Sequence, residues 1–355
     1  MTAGPASVPT TDGVPEVVPE IVHARSEAAP PGAERGGIGR VWAGWPGRVA
    51  RIVFAVLPMV WVARQVHLPT VLARAAQVGL RGLGLSLLCT AGAFAVGAWR
   101  WRLVMRAYGA DRVRIPQLGT LLRYYFVSQY FAVLPTGVAG DAVRAHRVRH
   151  CFEHPRTSYV ALFVERLSGL VGLLLVAGAA LQISPVLAHG PVAYALDVGL
   201  ALAVAFGTLA IALPEWTARH PRLRAAVARI PIVGSVLARI PPAQSYALLG
   251  RALLGSVATQ VLVVLSIIVI LTPLSAAATL RSCAFVVPAI ILVTYIPLTP
   301  GGLGQREAAF VQLFALVHVE REAALAASLL YFSTLLAVSA AGGLALLYER
   351  ARGSS

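Results

Sequence analysis

The sequence predicts an all-α, polytopic membrane fold of about eight transmembrane helices, with one re-entrant segment and several Pro/Gly-broken helices. Three observations carry this. Of 355 residues, 57% are hydrophobic and only 13% are charged, with a mean hydropathy of +0.74. A soluble domain carries about 25% charged residues, so water cannot be the main solvent of this chain. The apolar residues gather in runs of roughly the 20 residues that a crossing needs. The charge is almost all on one side of the balance: 30 basic residues, every one an arginine, against 15 acids. Residues 1–50 hold four arginines and five acids, so the surplus belongs to the apolar body. That combination excludes a soluble enzyme, a disulfide scaffold and a nucleic-acid binder, and it favours an anionic lipid surface as the partner.

Residues 1–46 are rich in Pro, Gly and Ala and lack an apolar run that would serve as a signal-peptide core, so a disordered cytoplasmic tail is expected. The membrane domain is expected over 47–349 and a short tail over 350–355. Residues 49–66 form a first, short span with Pro58 in it; its uninterrupted part, Ile52–Ala63, covers about 18 Å at ~1.5 Å per residue. Residues 82–105 are long enough to cross and end in Trp99-Arg100-Trp101-Arg102, the mixture of aromatics and cations found at a membrane–water interface. Residues 116–134, which contain Arg123, either cross or enter and return. Further spans are expected at 157–183, 192–213, 246–273, 276–297, 304–318 and 323–348.

The arginines decide the ambiguous segment. With 116–134 re-entrant, the basic stretches 100–114, 144–156, 219–239 and the tail share one side, and only Arg64, Arg74, Arg81 and Arg321 remain opposite. With 116–134 crossing, that asymmetry collapses. The positive-inside rule therefore favours re-entry, eight spans and both termini in the cytoplasm; the expected location is the plasma membrane. The linker 214–245, broken by Pro221, Pro231, Pro241 and Pro242, reads either as amphipathic pieces on the anionic inner leaflet or as a solvated loop.

Two stretches repeat a pattern. Leu134-Pro135-Thr136-Gly137-Val138-Ala139-Gly140-Asp141-Ala142-Val143-Arg144 and Leu298-Thr299-Pro300-Gly301-Gly302-Leu303-Gly304-Gln305-Arg306-Glu307 each follow an apolar, aromatic-containing run. Each stops a helix with Pro and Gly and then places a carboxylate and an arginine. Such breaks survive in hydrocarbon only where they are buried in protein or line a watery cavity, and matched breaks in two halves point to a transporter's binding site. The plainer alternative is a pair of surface loops. Glu165-Arg166 adds a third charged pair about two turns into an apolar segment, where each ionisable group costs roughly 2.5–3.5 kcal/mol. The candidate substrate-binding residues are therefore Asp141, Arg144, Glu165, Arg166, Arg306 and Glu307, with Pro135, Gly137, Gly140, Pro300, Gly301, Gly302 and Gly304 as the helix breaks.

Cys89, Cys151 and Cys283 fit neither a zinc motif nor a disulfide framework. His146, His150, Cys151 and His154 fall at helical spacing, but Pro155 cuts the helix short, so no metal and no cofactor is expected. No phosphate-binding loop, nucleophile elbow or zinc-protease motif occurs.

The Trp101-Arg102-Leu103 ending, the stretch 134–148, the stretch 164–170 and the stretch 299–314 resemble the flippase-like membrane domain of the lysylphosphatidylglycerol synthase family over roughly residues 48–348. The family's Gly-Gly-Asp-x-x-Arg pattern reads Ala139-Gly140-Asp141-Ala142-Val143-Arg144, with Ala for the first Gly; its Pro-Gly-Gly-Leu-Gly-x-x-Glu pattern is intact from Pro300 to Glu307. The resemblance implies a lipid-handling protein without the soluble aminoacyl-transferase domain, and hence not a synthase. The expected function is a flippase or transporter for an anionic or aminoacylated headgroup, on a membrane phospholipid or a polyprenyl-phosphate-linked lipid. Arg144, Arg166 and Arg306 would hold a phosphate, and the carboxylates would orient them. The alternatives are a non-transporting scaffold for an envelope-biosynthesis enzyme and, with less support, a membrane transferase. No nucleic acid is expected as a partner.

Overall fold

The computed structural model describes residues 64, 67–133, 139–183, 191–222, 225, 229, 241–295, 299 and 302–353. The expected tail 1–46 and, except for Arg64, the first span 49–66 lie outside the described residues up to His67. The described residues form helices α1 (Leu68–Gln77), α2 (Gly79–Ala107), α3 (Leu118–Val133), α4 (Ala139–Arg147), α5 (Thr157–Ile183), α6 (Pro191–Arg219), α7 (Tyr246–Leu271), α8 (Leu280–Tyr295), α9 (Gln305–Ala315) and α10 (Arg321–Gly353), with a 3₁₀ turn at Arg149–Cys151. Among the described residues there is no strand. The fold is all-α and polytopic, as the composition requires: in lipid, a helix satisfies its backbone within one segment.

Five helices are long and apolar enough to cross: Gly79–Ala107, Thr157–Gln182, Asp197–Thr217, Tyr246–Leu271 and Arg321–Ala351. They fall on the expected spans 82–105, 157–183, 192–213, 246–273 and 323–348. Helix α6 continues through Pro214 to Arg219, where a linker was expected to begin. Proline forfeits one backbone bond, here the one to the Ala210 carbonyl, but the helix carries on past it; in the next turn the Thr217 hydroxyl donates to the Leu213 carbonyl at 3.0 Å.

The expected spans 276–297 and 304–318 behave differently. Helices α8 and α9 hold 16 and 11 residues, which at ~1.5 Å per residue is about 24 and 16 Å, short of a ~30 Å hydrocarbon core. They pair instead as a hairpin, in which the Gln305 side-chain amide donates to the Val293 carbonyl at 2.5 Å. The hairpin starts and finishes at one end of the molecule. Arg74 of α1 donates to the Leu274 carbonyl just before α8 (3.4 Å) and pairs with Glu320 just after α9 (2.5 Å).

Helices α3 and α4 make a second hairpin. Gly140 of α4 lies so close to α3 that a Cβ there would sit 2.2 Å from the Ser128 carbonyl oxygen. The chain enters and leaves this hairpin at one place, because the Asp111 N–H donates to the Cys151 carbonyl at 2.8 Å and the Cys151 thiol to the Arg114 carbonyl at 3.2 Å. Helices α3 and α4 therefore go out and return to one end, the path expected of a re-entrant 116–134. The Gln244 N–H, donating to the Ala107 carbonyl at 2.7 Å, brings the start of α7 to the same end.

These contacts lie within one compact unit, Ala50–Leu346; the other unit, Met1–Val49 with Leu347–Ser355, takes the last residues of α10. Each hairpin has its own apolar core. Val71, Ile267, Val287, Phe310 and Phe314 bury one, and Trp101, Met105, Leu121, Val148 and Phe152 the other.

Candidate functional site

One group of buried charges comes from three helices, α2, α4 and α5, and is hydrogen-bonded by side chains of two more, α3 and α7. Consecutive residues of α5 face different ways, so Glu165 points into the bundle with 2% of its side chain exposed, while Arg166 keeps 52%. Glu165 is the hub. Its Oε1 accepts from Arg100 Nη2 of α2 and from the Tyr125 hydroxyl of α3 (2.8 Å); its Oε2 accepts from Arg144 Nη2 of α4 (2.9 Å). Arg100 also donates to the Ser256 hydroxyl of α7 at 3.1 Å.

Asp141 links the second tier. It sits in the first turn of α4, where the helix dipole favours a carboxylate. Its Oδ1 accepts from Arg144 Nη2 (3.2 Å) and from the Ser128 hydroxyl (3.5 Å), and its Oδ2 from Arg166 Nη2. The small Gly140 lets α4 approach α3 closely enough for the Ser128 contact.

Arg144 is the most enclosed cation, with 1% of its side chain exposed. Its guanidinium lies 4.0 Å from the Tyr125 ring centroid and 4.6 Å from that of Trp101. Its Nε and Nη1 are buried and find no acceptor among the described residues. The network thus joins three guanidiniums to two carboxylates. Counted as ionised, it carries one surplus positive charge. Glu165 lies eight residues into α5, about 12 Å from its start, within a segment long and apolar enough to cross a membrane. Helix α8 packs against α5, which brings the other hairpin beside the helix that carries Glu165 and Arg166.

Arg306 and Glu307 are placed apart. Gly304 adopts φ +77°, which glycine tolerates, and its N–H donates to Glu307 Oε2 at 2.7 Å. Glu307 Oε1 accepts from Arg306 Nε (3.1 Å), Arg306 Nη2 and the Ser328 hydroxyl (3.5 Å). The Arg306 guanidinium stacks 4.2 Å over the Phe332 ring. This pair balances one charge against one. Among the described residues it shares no hydrogen bond or ion pair with the first network.

Of the six charged residues predicted from sequence, four converge and two form the separate pair. Among the predicted breaks, Gly140, Gly302 and Gly304 are described; Pro135, Gly137, Pro300 and Gly301 lie outside the described residues. Sequence reasoning passed over Arg100, Trp101, Tyr125, Ser128 and Ser256. Arg100 read as an interfacial cation. Its signal was the run Thr90, Ala93, Gly97 and Arg100, small or polar residues at helical spacing on a buried face of α2. His150 and Cys151 contact each other at 3.6 Å, but among the described residues no three His, Cys, Asp or Glu side chains converge as a metal site.

The family model described as lysylphosphatidylglycerol synthase TM region matches residues 48–343. Among curated proteins, glycosyltransferase AglD of Haloferax volcanii is 30% identical over 303 residues, covering 73% of this chain and 48% of that protein. The chain thus spans about half the length of that relative. With most of its length matched, this chain belongs to the family of the lysylphosphatidylglycerol synthase transmembrane region.

Proposed function

We propose that this protein binds an anionic lipid headgroup at Arg100, Asp141, Arg144, Glu165 and Arg166 and moves it between the leaflets of the plasma membrane, with both termini in the cytoplasm. The surplus positive charge of the ion-pair network carries the reading. A guanidinium at this depth costs a few kcal/mol unless neutralised, and the network contains one more cation than anion. A phosphate oxygen is the ligand that a guanidinium fork matches best. Half-exposed Arg166 is the arm that meets it first, and Asp141 is the internal counter-ion that yields. The two hairpins, entered from opposite ends, are the elements that rock about the site to open it alternately.

The test is lipid movement in proteoliposomes, read as the rate at which a labelled anionic phospholipid becomes accessible in the outer leaflet. Wild-type protein accelerates movement over protein-free vesicles. Arg166→Ala slows it tenfold or more, matching loss of a charge-assisted hydrogen bond worth about 1.5–3 kcal/mol. No acceleration by the wild type would sink the proposal.

The similarity to a glycosyltransferase favours a second reading: the chain is the membrane part of a glycosyl-transfer step on a lipid-linked substrate. A glycosyl-transfer activity that needs this chain, without lipid movement, would favour it. The scaffold expected from sequence is the version of this reading in which a separate envelope enzyme does the chemistry.

A further inference from the structure

We infer that the site selects its ligand by charge, taking a singly charged phosphodiester in preference to a phosphate monoester or a diphosphate. The inference rests on the headgroup-binding reading above. The five ion-paired residues, with two carboxylates and three guanidiniums, have a net charge of +1. One monoanion brings the network to zero. A dianion leaves it at −1, with the excess beside Glu165, whose side chain is 2% exposed and out of reach of screening salt.

The network offers acceptor places as well as charge. Arg144, 2% exposed as a residue, keeps buried Nε and Nη1 donors that find no acceptor among the described residues. Its guanidinium also lies against the Tyr125 and Trp101 rings, whose faces attract the cation but supply no lone pair to those donors. The other hairpin supplies a contrast within the same fold. Arg306 and Glu307 already sum to zero, and the Glu307 carboxylate accepts from Gly304, Arg306 and Ser328. A balanced pair neutralises itself; the unbalanced network needs one more negative charge from outside.

Two sources carry this chemistry: a glycerophospholipid, and a sugar joined to a polyprenol through a phosphodiester. A phosphate monoester becomes a dianion as pH rises through its second pKa of about 6. It therefore fits at low pH and is rejected at high pH, whereas a phosphodiester stays a monoanion throughout.

The experiment measures lipid binding to the purified full chain in nanodiscs. The probes are phosphatidylglycerol, a polyprenyl-phosphoryl-hexose, polyprenyl monophosphate and polyprenyl diphosphate, each at pH 5.5 and 8.5. The expected result is that at least one phosphodiester binds within threefold of the same affinity at both pH values, and which one identifies the source. Polyprenyl monophosphate loses at least tenfold between them. Asp141→Asn, which raises the network to +2, increases the ratio of monophosphate to phosphodiester affinity at pH 8.5 at least tenfold. Arg166→Gln, which lowers the network to zero, weakens phosphodiester binding at least tenfold and provides a second readout should Asp141→Asn fail to fold. Wild-type binding of polyprenyl monophosphate at pH 8.5 as tight as the phosphodiester would overturn the inference while leaving headgroup binding intact. If none of the four lipids binds, the underlying reading falls with it.

Discussion

Glu165 shows how a single carboxylate can organise a membrane interior. It accepts from three different helices, through Arg100, Tyr125 and Arg144. Removing one partner of such a buried group is costly because the others stay desolvated, by about 3–5 kcal/mol for a broken buried pair. Glu165→Ala is therefore expected to lower the thermal midpoint and yield of the purified protein sharply, whereas Arg166→Ala, on a half-exposed side chain, leaves both near wild type. Detergent-phase thermal melts check the contrast. A second residue-scale expectation concerns the seam at the basic end. Burial pushes the Cys151 thiol up to about 11 from an ordinary value of 9.0. The sign favours the neutral thiol in the fold: that contribution is intact below pH 9 and is lost as pH rises through about 11. At pH 8 the thiolate fraction is then about a hundredfold below that of an ordinary cysteine. Maleimide labelling of Cys151 in native protein should be slower by at least that factor than in denatured protein. Comparable rates would mean that the seam between Asp111 and Cys151 is open.

At the scale of elements, the decisive contacts join residues far apart in the chain. Arg74 meets Glu320, and the Gln244 N–H meets the Ala107 carbonyl. Hydropathy is a local property, so it found the five long helices and could not tell that α8 and α9 turn back on each other. Both appeared as apolar runs and were expected as two separate crossings. The α3–α4 reversal was legible because arginine bias is a global signal. The site was half legible for the same reason. Asp141, Arg144, Glu165 and Arg166 are misplaced charges and announce themselves, while Tyr125 and Trp101 are ordinary membrane aromatics until the fold lays them on a guanidinium. Gly140 is the element-scale test of that packing. A Cβ there would lie 2.2 Å from the Ser128 carbonyl oxygen, a backbone atom that cannot swing aside. Gly140→Ala is expected to displace α4, at about 1–3 kcal/mol for overpacking. The measurable result is weakened headgroup binding with most of the long-helix content retained in far-ultraviolet circular dichroism. Unchanged binding would show that the hairpin spacing is not what positions Asp141.

For the molecule as a whole, the ends of the helices fix a sidedness that can be read without knowing the ligand. One end collects the close of α2, the mouth of the α3–α4 hairpin and the start of α7, tied by Asp111 to Cys151 and by Gln244 to Ala107. The other collects α1, the close of α7, the mouth of the α8–α9 hairpin and the start of α10, tied through Arg74 to Leu274 and Glu320. The first end carries Arg112, Arg114, Arg149 and Arg156, and the second carries Arg74 and Arg321, so the charge bias and the backbone bonds agree on which loops belong together. Two hairpins entered from opposite ends give each end one hairpin, and each hairpin carries a carboxylate near an arginine. A single site served from both faces needs this inversion, because neither face then holds a privileged entrance. Impermeant-maleimide labelling of single cysteines in sealed vesicles tests the arrangement directly. Cysteines placed at Arg112 and His154 should label from one face, the arginine-rich one, and cysteines at Ser275 and Glu320 from the other. The comparison of Arg112 with His154 is the sharper, since a crossing α3 would separate them by the full bilayer. Labelling of those two positions from opposite faces would dissolve the first hairpin and, with it, the convergence of Asp141 and Arg144 on Glu165.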